Sequence, residues 1–250
     1  MRHHKYNPNF EFIVKPEEFN KYSDKEILQY CLGATMYMPG TKDFSQKILD
    51  NEIPGLTSMV FCFEDACPES QVEEAERNVI HVLDVLSTAL DNGKLTYDNL
   101  PLIFCRVRNQ EQFIRFAGQL TKHHVKALTG INFPKFNAHN GNVYMFYLKQ
   151  LNERLGDIIY GMPIIEDSEV AFRETRMTEL IGIREILDNY KDIVLQVRVG
   201  ATDFSSCFGV RRGVDYSIYD VLTVREILSD IINVLSLIHI SEPTRRSYIS

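Results

Sequence analysis

Five short apolar runs in this chain each stop at a charged residue or pair, and no other feature constrains the fold as tightly. Residues 59–63 run into Glu64-Asp65, and residues 102–105 run into Arg106. Residues 128–134 meet Lys135, residues 163–165 meet Glu166-Asp167, and residues 193–202 meet Asp203. Apolar runs of this kind, rich in Val, Ile and Phe, read as strands buried on both faces of a parallel sheet. Where such strands alternate with helices, chemistry collects at their carboxyl ends. The charges therefore predict one site assembled from distant segments.

The intervening segments carry helical spacing. Val72, Ala75, Val79, Leu83, Leu86 and Leu90 mark one helix, opened by Pro68-Glu69-Ser70 and stopped by Asn92-Gly93. Further helices are expected near 110–122, 140–154, 170–189 and 217–235. In the fourth of these five, Met177, Leu180, Ile181, Ile183, Ile186 and Leu187 supply the expected apolar face. Ser23-Asp24-Lys25-Glu26 fits a capping box for a short helix through about Leu32. A first strand follows at 34–38, ended by Pro39-Gly40. The alternation means βαβ units and a parallel sheet.

Six strands are countable, whereas a closed (β/α)₈ barrel has eight. The expected fold is thus an α/β chain, a TIM barrel truncated after about six strand–helix units. Residues 1–32 form an arm and short helix, 33–234 the barrel, and 235–250 a non-native tail. The segment Leu235-Ser236-Leu237-Ile238-His239-Ile240-Ser241-Glu242-Pro243-Thr244-Arg245 resembles a translated transposase adapter from sequencing-library preparation. An ordinary polar tail is the alternative.

Composition narrows the function classes. A net charge of -7 with no basic tract argues against a nucleic-acid surface. No run approaches a membrane span, and Met1-Arg2-His3-His4-Lys5 has no apolar stretch behind it to make a signal peptide. Five cysteines, without zinc spacing and mostly within apolar runs, read as reduced core residues of a cytoplasmic protein.

Glu166 and Asp203 are the leading pair. Mg²⁺ typically takes one or two carboxylates and completes its octahedron with waters and substrate oxygens. Each residue could instead be an acid favoured at a helix N-terminus. Arg106 offers a forked donor to a carboxylate or phosphate, and alternation puts Arg108 on the same face. Glu64 and Asp65 could orient metal waters or Arg106, or Asp65 could cap the helix near Pro68. Lys135 could form a Schiff base if desolvated, but pairing with a carboxylate is the commoner role. The turn at Pro39-Gly40-Thr41 could offer backbone N–H groups to an anion. The basic loop Gly209-Val210-Arg211-Arg212-Gly213 could reach a phosphorylated substrate or be plain surface.

Six motifs occur in a familiar order: Met38-Pro39-Gly40-Thr41, Phe63-Glu64-Asp65-Ala66, Arg106-Val107-Arg108-Asn109, Phe133-Pro134-Lys135, Ile165-Glu166 and Gly200-Ala201-Thr202-Asp203. In these the chain resembles the HpcH/HpaI aldolase and citrate lyase β-subunit superfamily over roughly residues 33–234. It is most similar to the carbon–carbon lyase branch found with tellurium-resistance and stress-response operons. The resemblance implies a TIM barrel that cleaves or forms a C–C bond, with Mg²⁺ held by Glu166 and Asp203. It implies Arg106 on the substrate carboxylate or carbonyl oxygen, supported by Glu64, Asp65 and Lys135, with Pro39, Gly40 and Thr202 lining the substrate. A small carboxylate or oxo-acid is the implied substrate and a homo-oligomer the implied assembly. The doubled arginine, Asp167 and the long segment between Glu166 and Asp203 depart from the acyl-CoA lyases and disfavour a CoA thioester.

Overall fold

The apolar runs do form strands, and every pairing between them is parallel. The computed structural model describes residues 9–13 and 17–236. Its strands are β1 (Thr35–Pro39), β2 (Ser58–Cys62), β3 (Leu102–Arg106), β4 (Leu128–Phe133), β5 (Tyr160–Ile165) and β6 (Arg198–Val199). They make one sheet in sequence order, β1-β2-β3-β4-β5-β6. The helices are α1 (Lys25–Leu28), α2 (Ser45–Leu49), α3 (Val72–Asp91), α4 (Gln110–Gln119), α5 (Gly141–Leu155), α6 (Ser168–Ala171), α7 (Arg173–Asn189), α8 (Ala201–Cys207) and α9 (Leu222–Leu235).

The sheet curls. Neighbouring strands lie about 4.8 Å apart, so a flat sheet would hold β1 and β6 roughly 24 Å from each other. Instead Arg198 of β6 donates to Thr35 Oγ1 of β1 at 2.7 Å, and Asn132 of β4 donates to the Tyr37 hydroxyl of β1 at 3.0 Å. Six strands therefore follow an arc of the eight-stranded barrel, with β1 and β6 as edges among the described residues.

Two apolar layers hold the arc. Met59, Phe61, Ile103, Cys105, Ile131 and Phe133 face outward and pack on Val79, Leu83, Phe113, Tyr144, Leu180 and Ile227 of the helices. Val60, Phe104, Tyr160 and Met162 face inward and pack against Phe19, Leu28 and Leu32, so the segment around α1 plugs the amino end of the barrel. With that end filled, the carboxyl ends of the strands are left for a site.

Several expectations shift in detail. Asp24, not Ser23, caps α1, because its carboxylate accepts the Glu26 N–H at 2.8 Å; Ser23 Oγ instead accepts the Asn20 N–H. The expected helix at 170–189 breaks at Phe172, whose ψ of 136° is extended. Arg176 fills the break, donating to the Val170 and Ala171 carbonyls and pairing with Asp230 of α9 at 2.7 Å. It occupies the buried stripe of α7, and Met177 and Ile181, expected in the core, are exposed. The expected strand at 193–199 reduces to β6 and an isolated bridge at Val194, preceded by a 3₁₀ turn at Lys191–Ile193. The short helix α2 had no counterpart in the sequence reading. The expected arm lies partly outside the described residues, and the non-native tail almost entirely so.

Candidate active site at the carboxyl ends of the strands

The charged residues that stop the apolar runs converge into one chain of contacts. From β2, the buried Glu64 receives Lys135 Nζ on Oε1 at 2.9 Å and faces Arg106 Nη1 on Oε2 at 3.3 Å. That second contact is an ion pair without hydrogen-bond alignment, so the buried Oε2 has no donor among the described residues. Arg106, ending β3, also reaches Asp65 at 2.8 Å and donates Nε to Cys62 Sγ at 3.2 Å. Asp65 is thereby an arginine partner rather than a helix cap; the turn preceding α3 has Pro68 at its cap and no side-chain bond there.

Lys135 links the next two strands. Its backbone is left-handed, with φ of 48°, and its N–H donates to Glu166 Oε1 at 3.0 Å. A non-glycine residue in that region is a strained turn of the kind found at functional sites. Its ammonium is held above the ordinary lysine value, first by the hydrogen bond to Glu64 and further by the surrounding carboxylates. A protonated, paired lysine is a charge donor and not a Schiff-base nucleophile.

Glu166 is only 8% exposed at the end of β5. Burial pushes its carboxyl up, the Lys135 N–H opposes that, and Asp203 and Glu64 push further, to about 7. Asp203 stands on the first turn of α8, directly after Gly200. A Cβ on Gly200 would fall 2.5 Å from Glu166 Oε2 and 2.8 Å from Asp203 Oδ2. The two carboxylates thus share the space that the missing side chain leaves open. The buried Glu166 and the exposed Asp203 bring one carboxylate oxygen each to a single gap, the kind of oxygen donors a hard divalent cation takes. Glu166, Asp203 and, behind them, Glu64 would hold it.

The remaining expected residues sit at the rim. Pro39 pairs with Cys62 in the ladder, and Gly40 spends its N–H on the Cys62 carbonyl at 2.9 Å, so that N–H is not free for an anion. Thr202 lines a cavity of about 480 Å³ with Asp203, Arg212, Ser217 and Tyr219. Arg108, indistinguishable from Arg106 by alternation, is fastened to the Phe63, Glu64 and Cys67 carbonyls at 3.1, 3.4 and 2.6 Å. It shapes the loop that presents Glu64; Arg106 alone of the two faces the carboxylates.

Sequence reasoning missed four inward-facing groups. Cys62 reads as core from its apolar run, yet its sulfur accepts from Arg106 and from the Glu64 N–H. Tyr37, Asn132 and Arg198 form a polar layer just beneath, with the Arg106 and Arg198 guanidiniums 5.5 and 5.8 Å from the Tyr37 ring centre. A polar residue within an apolar run, on the same face as Arg106, was the available signal. A separate group also has metal-binding spacing: His139, Glu169 and Glu179 each bring a ligand atom within 4.8 Å of the others.

Among the described residues no helix is long and apolar enough to cross a membrane. The cysteines are free, with Cys62, Cys67 and Cys105 buried, Cys31 half-buried and Cys207 exposed. No curated protein matches the chain. A family model, described as C–C bond lyase of the TIM-barrel fold, matches residues 26–243. With its strand-end charges gathered at the carboxyl face of a parallel arc, the chain belongs to the C–C bond lyase family of the TIM-barrel fold.

Proposed function

We propose that this lyase is Mg²⁺-dependent and cleaves or forms a C–C bond beside the carbonyl of a small carboxylate metabolite, by aldol or Claisen chemistry. The observation that carries the reading is a charge imbalance. Among the described residues, the ion pairs of Glu64, Asp65, Glu166 and Asp203 are with Arg106 and Lys135, so full ionisation of these six groups leaves two negative charges, the complement of one divalent cation. The Glu166 carboxyl is raised first by its burial, and the neighbouring Asp203 and Glu64 charges add to that rise.

Breaking such a bond leaves an enolate, and a bound metal supplies positive charge where that oxygen develops. Glu166 and Asp203 would hold it. Arg106, fixed by Glu64 and Asp65, places a permanent charge beside the same pocket for the substrate carboxylate. Glu64 orients both cations at once, and the Lys135 ammonium completes the anionic pocket. The setting we propose is a cytoplasmic tellurium-resistance or stress-response pathway. A homo-oligomer is supported by Val143, Phe146 and Tyr147, exposed together on α5.

Enolisation can be read without knowing the partner substrate. Pyruvate in D₂O should exchange its methyl protons in the presence of protein and Mg²⁺, and Glu166→Gln should abolish both the exchange and the calorimetric signal of Mg²⁺ binding. Unaltered Mg²⁺ binding in that variant would sink the assignment.

A further inference from the structure

Beneath Arg106, three atoms in the barrel interior have hydrogen-bonding capacity that the described residues leave unmet. Arg198 donates Nη2 to Thr35 and Nη1 to the Tyr37 hydroxyl at 3.4 Å, but its buried Nε has no acceptor. Asn132 is fully buried, donates Nδ2 to the same hydroxyl at 3.0 Å, and leaves Oδ1 without a donor. The Tyr37 oxygen receives both of these N–H groups, so its own proton is uncommitted among the described residues.

The charge state points the same way. Arg106 has each of its three nitrogens engaged, by Cys62, Glu64 and Asp65. Arg198 has no carboxylate within ion-pair distance among the described residues, although it lies half-buried inside the arc. An unpaired interior guanidinium is costly unless an anion completes it. Two free donors, Arg198 Nε and the Tyr37 O–H, suit one carboxylate, and one free acceptor, Asn132 Oδ1, suits an adjacent hydroxyl. All three belong to residues that meet at the Tyr37 hydroxyl.

We infer that Arg198, Tyr37 and Asn132 form a subsite for the carboxylate and neighbouring hydroxyl of a 2-hydroxy acid. This deepens the proposed lyase reading, on which its relevance to turnover rests: the substrate then carries an anionic group on the barrel floor as well as the carbonyl near Glu166. Binding to the subsite itself needs neither the metal nor turnover.

The test is calorimetric titration of L-malate, D-malate and succinate into the protein in EDTA. One malate enantiomer should bind more tightly than succinate, which lacks the hydroxyl. Arg198→Gln should weaken malate about tenfold or more, and Tyr37→Phe several-fold, with Arg198→Lys recovering part of the loss. If Arg198→Gln fails to fold, the Tyr37→Phe result decides. Equal affinity for malate and succinate would overturn the subsite. So would a lower melting temperature in Arg198→Gln with malate affinity intact, which would make the residue a strut between β6 and β1. A loss confined to Arg106→Gln would overturn it too. Mg²⁺ titration into wild type and Glu166→Gln judges the metal reading separately, so the two can fail independently.

Discussion

Replacing Glu166 by Gln should stabilise the metal-free protein, increasingly so as pH rises. The native carboxyl titrates near 7, against an ordinary value of 4.5. Between those values the unfolded chain has lost its proton while the folded chain retains it, so stability falls with rising pH. Each unit of separation corresponds to about 1.4 kcal/mol, giving a loss of at most about 3 kcal/mol once pH exceeds 7. The contribution is fully present below 4.5 and gone above the native value. Glutamine keeps an oxygen for the Lys135 N–H and never ionises. Wild type and variant should therefore unfold alike near pH 4.5 in EDTA, and the variant should lead by up to about 3 kcal/mol near pH 8. Other shifted groups, such as Glu179 and Asp43, are common to both proteins and cancel in the difference. Urea unfolding followed by circular dichroism across this range measures it. Adding Mg²⁺ should recover the wild-type loss and leave the variant unmoved. A difference independent of pH, or a wild type more stable than the variant at high pH without metal, would refute the account of Glu166 as a carboxylate raised by its burial and its acidic neighbours.

Gly200→Ala places a methyl between Glu166 Oε2 and Asp203 Oδ2 and against Glu166 Cβ, at 2.6 Å from the last. It should cost about 1–3 kcal/mol by overpacking and remove Mg²⁺ binding, both measurable by urea unfolding and calorimetry. Arg108→Gln should cost about 2–3 kcal/mol, since it strips charged donors from loop carbonyls. Arg106→Gln should change stability less and abolish pyruvate exchange; equal stability losses would blur the division between them.

The strand ends were legible because a buried strand tolerates charge only where it leaves the core, so the polar stops reported both the strand and its destination. Helix existence was legible from spacing, but the break at Phe172 was not. The apolar positions of α6 and α7 read as one stripe, and it takes Arg176 satisfying the Val170 and Ala171 carbonyls to part them. The roles of Arg106 and Arg108 were equally closed to sequence. Alternation gives both the same face, and only the fold of the loop after β2 brings carbonyls to one and carboxylates to the other. Tyr37 and Asn132 escaped notice because each lies within a strand rather than at its last residue, and Arg198 because the run through residues 193–202 meets its polar stop only at Asp203.

Asn132 shows why the inner layer could not be read from alternation alone. Ile103 of β3 pairs with Leu128, but Phe104 pairs with Gly130, so the register skips Thr129. Before the skip Leu128 packs outward; after it Ile131 and Phe133 pack outward and Asn132 turns inward beside Arg106. Unbroken alternation from Leu128 would have sent Ile131 and Phe133 into the site and Asn132 into the apolar shell, because a one-residue slip exchanges the faces of a strand. Gly130 makes the skip possible: a Cβ there would fall 2.5 Å from the Tyr160 carbonyl and 2.8 Å from Phe104 Cδ1. An irregularity at the middle of β4 thus sets which residues reach the site and which hold the core, and neither assignment can be altered without the other.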